Sequence, residues 1–351
     1  MNNNWWRHPV QALDHHAQTE AAERQNSLTK PPGSLGELES AAIRLAGMQG
    51  KTCPELKQPW ISIFAGDHGI AAEGVSAFPQ EVTPQMVANF AHGGAAITVL
   101  ARQIGARFEV VDVGVASDTI HHPTVIQDKV ALGTANFTQT AAMTVSQLEQ
   151  ALAAGRSAVK RALTSGADCF IAGEMGIANT TSASALACAW LRASPAAMCG
   201  PGTGLNAQGV NRKAEVIARA LQLHADRLAD PKTALATFGG FEVAAMTGAY
   251  IAAAQAGLPV IVDGLICTVS ALAARLLNPG VEDWFFYGHQ SAEPAHARVL
   301  EALKAKPLLQ LGMRLGEGSG AATAFPLLQL ACALHCQMAT FAEAGVASSD
   351  A

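Results

Sequence analysis

The sequence predicts an α/β fold with a doubly wound, mainly parallel sheet, and two observations support this prediction. Short apolar runs recur along the chain without alternation of polar and apolar positions. Such runs are typical of strands that are buried on both faces. Longer stretches of helical character separate the runs, and parallel strands need such helices for their crossover connections.

Each predicted strand ends in glycine or in a polar turn. The six runs are WISIFAGDHG (60–69), FEVVDVG (108–114), DCFIAGEMG (168–176), AAMCGPGTG (196–204), LPVIVDG (258–264) and WFFYGHQS (284–291). In sheets of this kind ligands bind beyond the carboxyl ends of the strands. We therefore expect the functional site along that edge.

Both chain ends have helical spacing without a strand signal. Pro31 and Pro32 are expected to stop one helix, and Ser34 to cap the next with Glu37 as its capping-box partner. The Ala- and Leu-rich composition of residues 321–345 predicts one further helix. The sequence thus predicts a small helical domain, 1–57 together with 318–351, beside a large α/β domain of residues 58–317.

Composition excludes several classes of protein. Charged residues make up 15% of the 351, the net charge is −5, and no basic run is present, so nucleic acid is not an expected partner. No window approaches the roughly 18 uninterrupted apolar residues of a membrane span. With no apolar leader at the N-terminus, a cytoplasmic protein is expected. The seven cysteines favour reduced, mostly buried thiols, and a core role for Cys332, His335 and Cys336 is favoured over a metal site.

Two glycine-containing turns favour a phosphorylated ligand. AMCGPGTGLN places Gly202 and Gly204 around Thr203, before a helix expected near Asn206, so that backbone N–H groups can point at an anion. GEMGIANTTSASA repeats the arrangement with donors after Gly176. Those donors include Asn179 and Thr180, and Ser291 is expected to join them. Taken singly, each turn is equally explained by steric use of glycine or by ordinary N-capping.

Familiar nucleotide and metal motifs are absent from the sequence. There is no P-loop, no dinucleotide fingerprint, and no paired-acid loop of the kind that holds a pyrophosphate-ribose with magnesium. Asp67 and His68 are adjacent on a strand end and point to opposite sides. Structural anchoring is therefore favoured over metal binding, and we expect no metal and no cofactor.

Nine segments in the same order resemble one enzyme family. They are KPPGSLGELE (30–39), GDHGIAAEGVS (66–76), VTPQMVANFAHGG (82–94), GEMGIANTT (173–181), GPGTGL (200–205), FGGFEVAAMTGA (238–249), PVIVDG (259–264), HQSAE (289–293) and RLGEGSGAA (314–322). Together they are similar to the nicotinate-nucleotide:dimethylbenzimidazole phosphoribosyltransferase (CobT) family over about residues 28–340. The resemblance implies transfer of a phosphoribosyl group from nicotinate mononucleotide to 5,6-dimethylbenzimidazole, and a homodimer with a Rossmann-like large domain.

That reaction explains a lone carboxylate on flexible backbone. The leaving nitrogen of the donor is already cationic, whereas the attacking benzimidazole must lose a proton, so one general base is needed. Glu317, among glycines and apolar residues, fits this role, and Gly316 leaves room for a flat base. The alternative is a glutamate that caps the helix starting near Gly320. Glu174, at a strand end, is expected to stabilise positive charge on the ribosyl ring or to hold its hydroxyls.

The resemblance implies the remaining roles. Lys213 and Arg314 are expected to pair with phosphate or carboxylate, although a helical lysine commonly faces solvent. Asp263 is expected to orient the site or a ribose. The base pocket is expected within residues 75–90, where the alternative is plain core packing. Its candidates are Phe78, Thr83, Met86 and Phe90.

Two other functions remain open at this point. One keeps the phosphoribosyl donor and changes the acceptor to another base, such as adenine or a phenol. The other is a catalytically silent nucleotide- or base-binding protein with the same fold. The presence of both Glu317 and Glu174 argues against this silent protein.

Overall fold

The computed structural model describes residues 4–202 and 204–347. Its strands are β1 (Pro59–Gly66), β2 (Arg107–Gly114), β3 (Val125–Gln127), β4 (Cys169–Met175), β5 (Val260–Val262), β6 (Phe285–His289) and β7 (Pro307–Leu309). They form one parallel sheet in the order β3-β2-β1-β4-β5-β6-β7. The predicted parallel α/β class is confirmed.

Helices connect and cover the strands. The α-helices of the described residues are α1 (His15–Ser27), α2 (Glu37–Gln49), α3 (Val82–Ala91), α4 (Ala96–Gln103), α5 (Val145–Thr164), α6 (Asn179–Leu191), α7 (Pro195–Met198), α8 (Ala207–Leu223), α9 (Pro231–Phe238), α10 (Phe241–Ala256), α11 (Leu265–Leu277), α12 (Pro294–Leu303), α13 (Ser319–Gln337) and α14 (Phe341–Ala344). Short 3₁₀ turns complete the connections at Trp5–Arg7, Gly69–Glu73, Ala225–Arg227 and Val281–Trp284.

The core lies on both faces of the central strands. Every residue of β1 is buried, as are all residues of β4 except the last. Such strands cannot alternate polar and apolar residues, because neither side chain direction reaches water. Helix α10 packs against β1 and β4 and against α5, and α13 packs against β5 and β6.

The strand order places a crevice next to β1. From β1 the chain moves outward to β2 and β3, and then returns to the other side of β1 to continue with β4, β5, β6 and β7. The direction of winding therefore reverses between β1 and β4. Ligands of doubly wound sheets bind beyond the carboxyl ends of the strands at such a reversal.

The prediction of a strand over 196–204 is wrong. Pro195–Met198 instead form α7, and a turn follows it. Proline at the first helical position after Ser194, followed by alanine and methionine, favours a helix. The sequence also failed to reveal β3 and β7, which are edge strands of three residues each and too short for a periodic pattern.

The predicted capping box at the start of α2 is also wrong. The helix begins at Glu37 after Gly36, which makes no side-chain capping bond, and Ser34 lies outside it. Glu39 instead accepts hydrogen bonds from two backbone N–H groups of the preceding turn. The helix expected over 321–345 is divided into α13 and the short α14.

Contacts between the two chain ends hold the terminal helices together. Arg24 of α1 donates hydrogen bonds to the backbone carbonyls of His335, Cys336 and Met338 at the end of α13. Helix α2 packs against both α1 and α13. Helix α13 therefore contacts the terminal helices as well as the sheet.

One described helix, α13, is long and apolar enough to cross a membrane on length and composition alone. However, 56% of its most apolar window is buried inside the fold. Its surroundings are those of a core helix, since it packs against strands and other helices along its length.

All seven cysteines are free thiols, and they differ in exposure. Cys53 is exposed and Cys336 is half-buried, whereas the others are buried. Burial raises the pKa of Cys188 and of Cys332 to about 12 and disfavours their thiolates. His335 hydrogen-bonds Gln25 and the carbonyl of Thr52, contacts typical of a structural residue.

Candidate active site

A cavity of about 300 Å³ lies at the carboxyl ends of β4, β5 and β6. Eleven of the residues singled out in the sequence line it: Phe78, Glu174, Gly176, Asn179, Thr180, Gly202, Asp263, Ser291, Arg314, Gly316 and Glu317. The other described candidates, namely Thr83, Met86, Phe90, Lys213 and Gly204, lie outside its lining. Thr203 lies outside the described residues.

Glu174 is a buried carboxyl group near the end of β4. Burial, with the nearby Asp263 and Glu242 carboxylates, holds the pKa of Glu174 well above its usual range. Asn179 and the backbone N–H of Glu317 donate hydrogen bonds to it and oppose this shift in part. Burial and the two neighbouring carboxylates thus favour the protonated form of Glu174 over the carboxylate.

Glu317 lies in a tight turn immediately before α13. Its backbone is left-handed, with φ +62°, a conformation that costs a non-glycine residue energy. The preceding Gly316 also has positive φ, and a methyl group there would overlap the Glu174 carboxylate. The glycine thus allows the turn to approach β4 closely and places Glu317 at the cavity wall.

The Glu317 carboxylate is largely removed from water. Burial raises its pKa; the backbone N–H of Ile97 at the start of α4 opposes this, and the Asp263 charge adds to it. Its Oε2 atom is buried without a hydrogen-bond partner among the described residues. This arrangement provides a proton acceptor more basic than an ordinary surface glutamate.

Asp263 follows β5 and fixes the turn that contains Glu317. Its Oδ2 accepts a hydrogen bond of 3.1 Å from the N–H of Gly318, and its Oδ1 accepts one of 2.9 Å from the N–H of Ala321. Asp263 therefore caps α13 from a neighbouring strand. These bonds occupy both carboxylate oxygens and support the expectation that Asp263 orients the site.

Polar groups from α6 and from the segment that ends at Gly202 face each other across one end of the cavity. Asn179 and Thr180 start α6, and Gly202 lies opposite them in the turn. Lys213 is fully buried behind the lining, where its Nζ donates to Thr180 Oγ1 at 3.0 Å and to the Gly200 carbonyl at 3.3 Å. Burial lowers the pKa of Lys213. The alternative of a solvent-facing lysine is therefore wrong.

Ser291 is held at the cavity by His296. The Ser291 N–H donates to His296 Nδ1 at 2.8 Å, so this nitrogen carries no proton. His296 Nε2 contacts Thr268 Oγ1 at 2.9 Å. Burial, with the nearby His289, lowers the pKa of His296 to about 4, and the ring is neutral at pH 7.

Arg314 provides a positive charge at the cavity mouth. It is exposed, and its guanidinium has no hydrogen-bond or ion-pair partner within residues 4–202 and 204–347. A guanidinium of this kind is available for bidentate contact with a phosphate or a carboxylate.

The candidates for the base pocket are dispersed. Phe78 is half exposed and lines the cavity. Thr83 instead donates a hydrogen bond to the buried Asp67, and Phe90 is a core residue with 1% exposure. Met86 packs at the edge of the same core. Among these four residues, only Phe78 is placed to touch a ligand in the cavity.

Sequence reasoning gave no role to two further cavity residues, His289 and Glu293. His289 Nε2 lies 3.4 Å from Asp263 Oδ1, and Glu293 Oε1 accepts a hydrogen bond from the Gly202 N–H. Both residues fall within the HQSAE segment. A glutamate before a proline predicts only a helix start, so its contact with a distant turn has no sequence signal.

Asp67 and His68 form buried anchors beside the cavity. Asp67 accepts hydrogen bonds from Thr83 and from the Ala116 N–H, and His68 pairs with Glu242 at 2.5 Å. Burial lowers the pKa of His68, but the Glu242 charge and hydrogen bond more than offset this, so that the net shift is upward. No cluster of three metal-ligating side chains occurs in the described parts of the chain.

Comparison with known proteins gives concordant matches over nearly the whole chain. A phosphoribosyltransferase family model matches residues 10–346. The nicotinate-nucleotide--dimethylbenzimidazole phosphoribosyltransferase of Pseudomonas fluorescens (strain SBW25) is 57% identical over 351 residues, which is 100% of both chains. The enzyme of the same name from Azotobacter vinelandii is 57% identical over 350 residues, 99% of both chains.

Solved structures agree with these relatives. The crystal structure of CobT from Thermus thermophilus matches with a TM-score of 0.91 and 46% identity, and the match covers 95% of this chain and 100% of that one. The segments that resemble the family include the turns that line the cavity. The chain belongs to the nicotinate-nucleotide--dimethylbenzimidazole phosphoribosyltransferase family.

Proposed function

We propose that the protein transfers the 5-phosphoribosyl group of nicotinate mononucleotide to 5,6-dimethylbenzimidazole. The products are α-ribazole 5′-phosphate and nicotinate, in the assembly of the cobalamin nucleotide loop. The observation that most directly supports this function is Glu317, a buried carboxylate with an unpartnered oxygen at the cavity wall. The name of the relatives supports the choice of donor and acceptor.

The bonds change in a single displacement. One benzimidazole nitrogen attacks the anomeric carbon while the glycosidic bond to the nicotinate nitrogen breaks. The bonding electrons neutralise the pyridinium, so the leaving group needs no acid. Attack from the opposite face converts the β-nucleotide into an α-product, and the proton of the second benzimidazole nitrogen moves to Glu317.

Glu174 has a different role, because its surroundings favour the protonated carboxyl group. In this protonated form, the carboxyl group can donate a hydrogen bond to a ribose hydroxyl. Two carboxyl groups in different surroundings are a common arrangement for acid and base functions in one site. Asp263 keeps the turn of Glu317 in place.

The phosphate of the donor binds at the end of the cavity that is formed by α6 and Gly202. Backbone N–H groups at Gly176 and Gly202, side chains of Asn179, Thr180 and Ser291, and Lys213 behind them form its surroundings. Backbone N–H groups at a helix start favour an anion. Arg314 at the mouth pairs with the nicotinate carboxylate or with the phosphate.

The identity of the acceptor is tested by product mass. The protein is incubated with nicotinate mononucleotide and, separately, 5,6-dimethylbenzimidazole, adenine and a phenol, and the products are identified by mass spectrometry. Phosphoribosylated dimethylbenzimidazole together with free nicotinate supports the proposal. Products from adenine or phenol alone would change the acceptor. Saturable binding without nicotinate release would instead indicate a silent binding protein.

Glu317→Gln tests the catalytic role. We expect turnover to fall by roughly 10²- to 10⁴-fold, because the amide cannot take the proton. The KM for nicotinate mononucleotide should change little, since the amide keeps the shape of the side chain. The matched control is Glu301→Gln, at an exposed position on α12. Wild-type turnover in Glu317→Gln would contradict the mechanism.

The assembly and location of the protein belong to the same proposal. We propose a cytoplasmic homodimer in which residues 1–57 and 318–351 form a small helical domain beside residues 58–317. The hydrogen bonds between Arg24 and the end of α13 support a unit built from both chain ends. Sedimentation at micromolar concentration measures the oligomeric state.

A further inference from the structure

Glu293 places a carboxylate of the chain itself in the turn proposed for the donor's phosphate. Its Oε1 accepts a hydrogen bond of 3.1 Å from the Gly202 N–H. Both residues line the cavity, and Glu293 is only 8% exposed. The contact therefore lies within the cavity wall and away from the outer surface.

The helix that begins after Glu293 does not use this side chain. Glu293 is the N-cap residue of α12, but it makes no side-chain hydrogen bond to that helix. Its carboxylate instead lies so close to Gly200 that a methyl group at Gly200 would overlap it. The absence of a side chain at Gly200 therefore allows the Glu293 carboxylate to occupy this position.

The surroundings of the carboxylate suit an anion. The buried ammonium of Lys213 contacts Thr180 Oγ1 and the Gly200 carbonyl, and the Glu293 charge raises the pKa of Lys213 against the larger effect of burial. Thr180 and Gly202 line the cavity beside it. An ammonium, a hydroxyl and a backbone N–H thus converge where Glu293 now supplies the negative charge.

We infer that Glu293 is an internal occupant of the phosphate subsite, and that a phosphorylated donor must displace it in order to bind. A phosphate and a carboxylate cannot both accept the same N–H bond at full strength, and their like charges repel. The phosphate carries more charge and more acceptor oxygens, so it displaces Glu293. A nucleoside has no such group and leaves Glu293 in place. This inference rests on the proposed function.

Binding of inorganic phosphate tests the inference without turnover. Calorimetry is carried out on the wild type, Glu293→Gln and Glu293→Asp. We expect Glu293→Gln to bind phosphate roughly tenfold more tightly or better, because the competing charge is removed. Glu293→Asp keeps the charge but is shorter and suits its own helix as an N-cap, so we expect a smaller gain.

Equal or weaker phosphate binding by Glu293→Gln would overturn the inference, because Glu293 would then only brace the turn. Absence of phosphate binding in all three proteins would also overturn it. Thermal unfolding of each variant verifies that it is folded before binding is compared. If a variant does not fold, a structure of the wild-type protein with bound phosphate still tests the inference.

A crystal structure of the wild-type protein with inorganic phosphate tests directly whether phosphate displaces Glu293. We expect phosphate on the Gly202 N–H and the Glu293 carboxylate turned away. Bound phosphate with the Glu293 to Gly202 hydrogen bond intact would contradict the inference. Product formation from nicotinate mononucleotide is measured separately. If product forms but Glu293→Gln gains no phosphate affinity, this inference fails and the transferase function stands.

Discussion

Backbone strain and proposed chemistry coincide at one residue, Glu317. Four non-glycine residues of the described chain have positive φ: Ala178, Arg192, Lys304 and Glu317. Arg192 and Lys304 end helices, where a left-handed residue commonly closes the last turn. Glu317 lies in a turn where glycine would be easier, so the strain is retained at the position of the proposed general base.

Replacing Glu317 by glycine should stabilise the fold while abolishing turnover. Relief of the left-handed strain is worth about 1 kcal/mol in the free energy of unfolding. Urea unfolding and kcat are measured together. The matched control is Lys304→Gly, at another left-handed and exposed position, which should gain similar stability and keep full activity. A Glu317→Gly variant less stable than the wild type would contradict this interpretation.

The pH dependence of turnover should report the Glu317 carboxylate. Its deprotonated form is the proposed base, and burial raises its pKa above the usual 4.5. Activity should therefore be lost as the pH falls through this raised pKa, above pH 4.5. The kcat is measured at saturating nicotinate mononucleotide. Titration of the phosphate group of unbound donor near pH 6 then does not affect the result. Full activity maintained down to pH 4.5 would exclude Glu317 as the base.

At the scale of elements, carboxylates at the ends of strands bind backbone N–H groups at and just before the start of α13. Asp263 at the end of β5 binds the first backbone N–H groups of α13, and Glu174 near the end of β4 binds the N–H of Glu317. The turn between Gly316 and α13 is thus fixed from two neighbouring strands. Precise placement of a base requires such support.

Asp263→Asn should weaken this support. Asparagine has one acceptor oxygen, so the Gly318 or the Ala321 N–H loses its partner, at a cost of about 1–3 kcal/mol in unfolding free energy. Turnover should also fall, because the Glu317 turn loosens. The matched control is Asp14→Asn, since Asp14 binds two N–H groups of α1 through a single oxygen, which asparagine retains. Equal losses in both variants would contradict this explanation.

The sequence revealed some elements and not others, for identifiable reasons. The runs at 60–66 and 169–175 were predictable as strands because β1 and β4 are buried on both faces. Residues 196–204 share the apolar character, but their alanine and methionine form α7. The positions of Asp263, Ser291 and Glu174 in the cavity wall were predictable because parallel strands end at one edge. The contact of Glu293 with Gly202 spans 91 positions and has no local pattern.

At the scale of the whole molecule, nearly all residues that line the cavity come from one half of the sheet, β4 to β7, and the helices beside it. Apart from Phe78, its lining residues lie between positions 174 and 317, and β2 and β3 contribute none. The described contacts also connect the two chain ends through Arg24, 311 positions from its first partner, His335. The sequence predicts that the two chain ends pack together, but no local pattern identifies this particular contact.

Arg24→Met should separate stability from activity. Loss of the hydrogen bonds to three carbonyls should lower the free energy of unfolding by about 2 kcal/mol. The kcat should be unchanged, because the cavity lies at the opposite end of α13. Urea unfolding and steady-state kinetics are compared with Arg298→Met, an exposed position on α12. Unchanged stability in Arg24→Met would show that the chain ends are held together by other contacts.

The exposed thiol of Cys53 offers a place for a spectroscopic probe. Buried thiols react slowly with maleimides, so a fluorophore should attach chiefly at this position. The neighbouring Thr52 and Pro54 carbonyls contact His335 and Cys336 near the end of α13. A helix of 19 residues is about 28 Å long. The dye would therefore report on the distal end of that helix while substrates react undisturbed at the other.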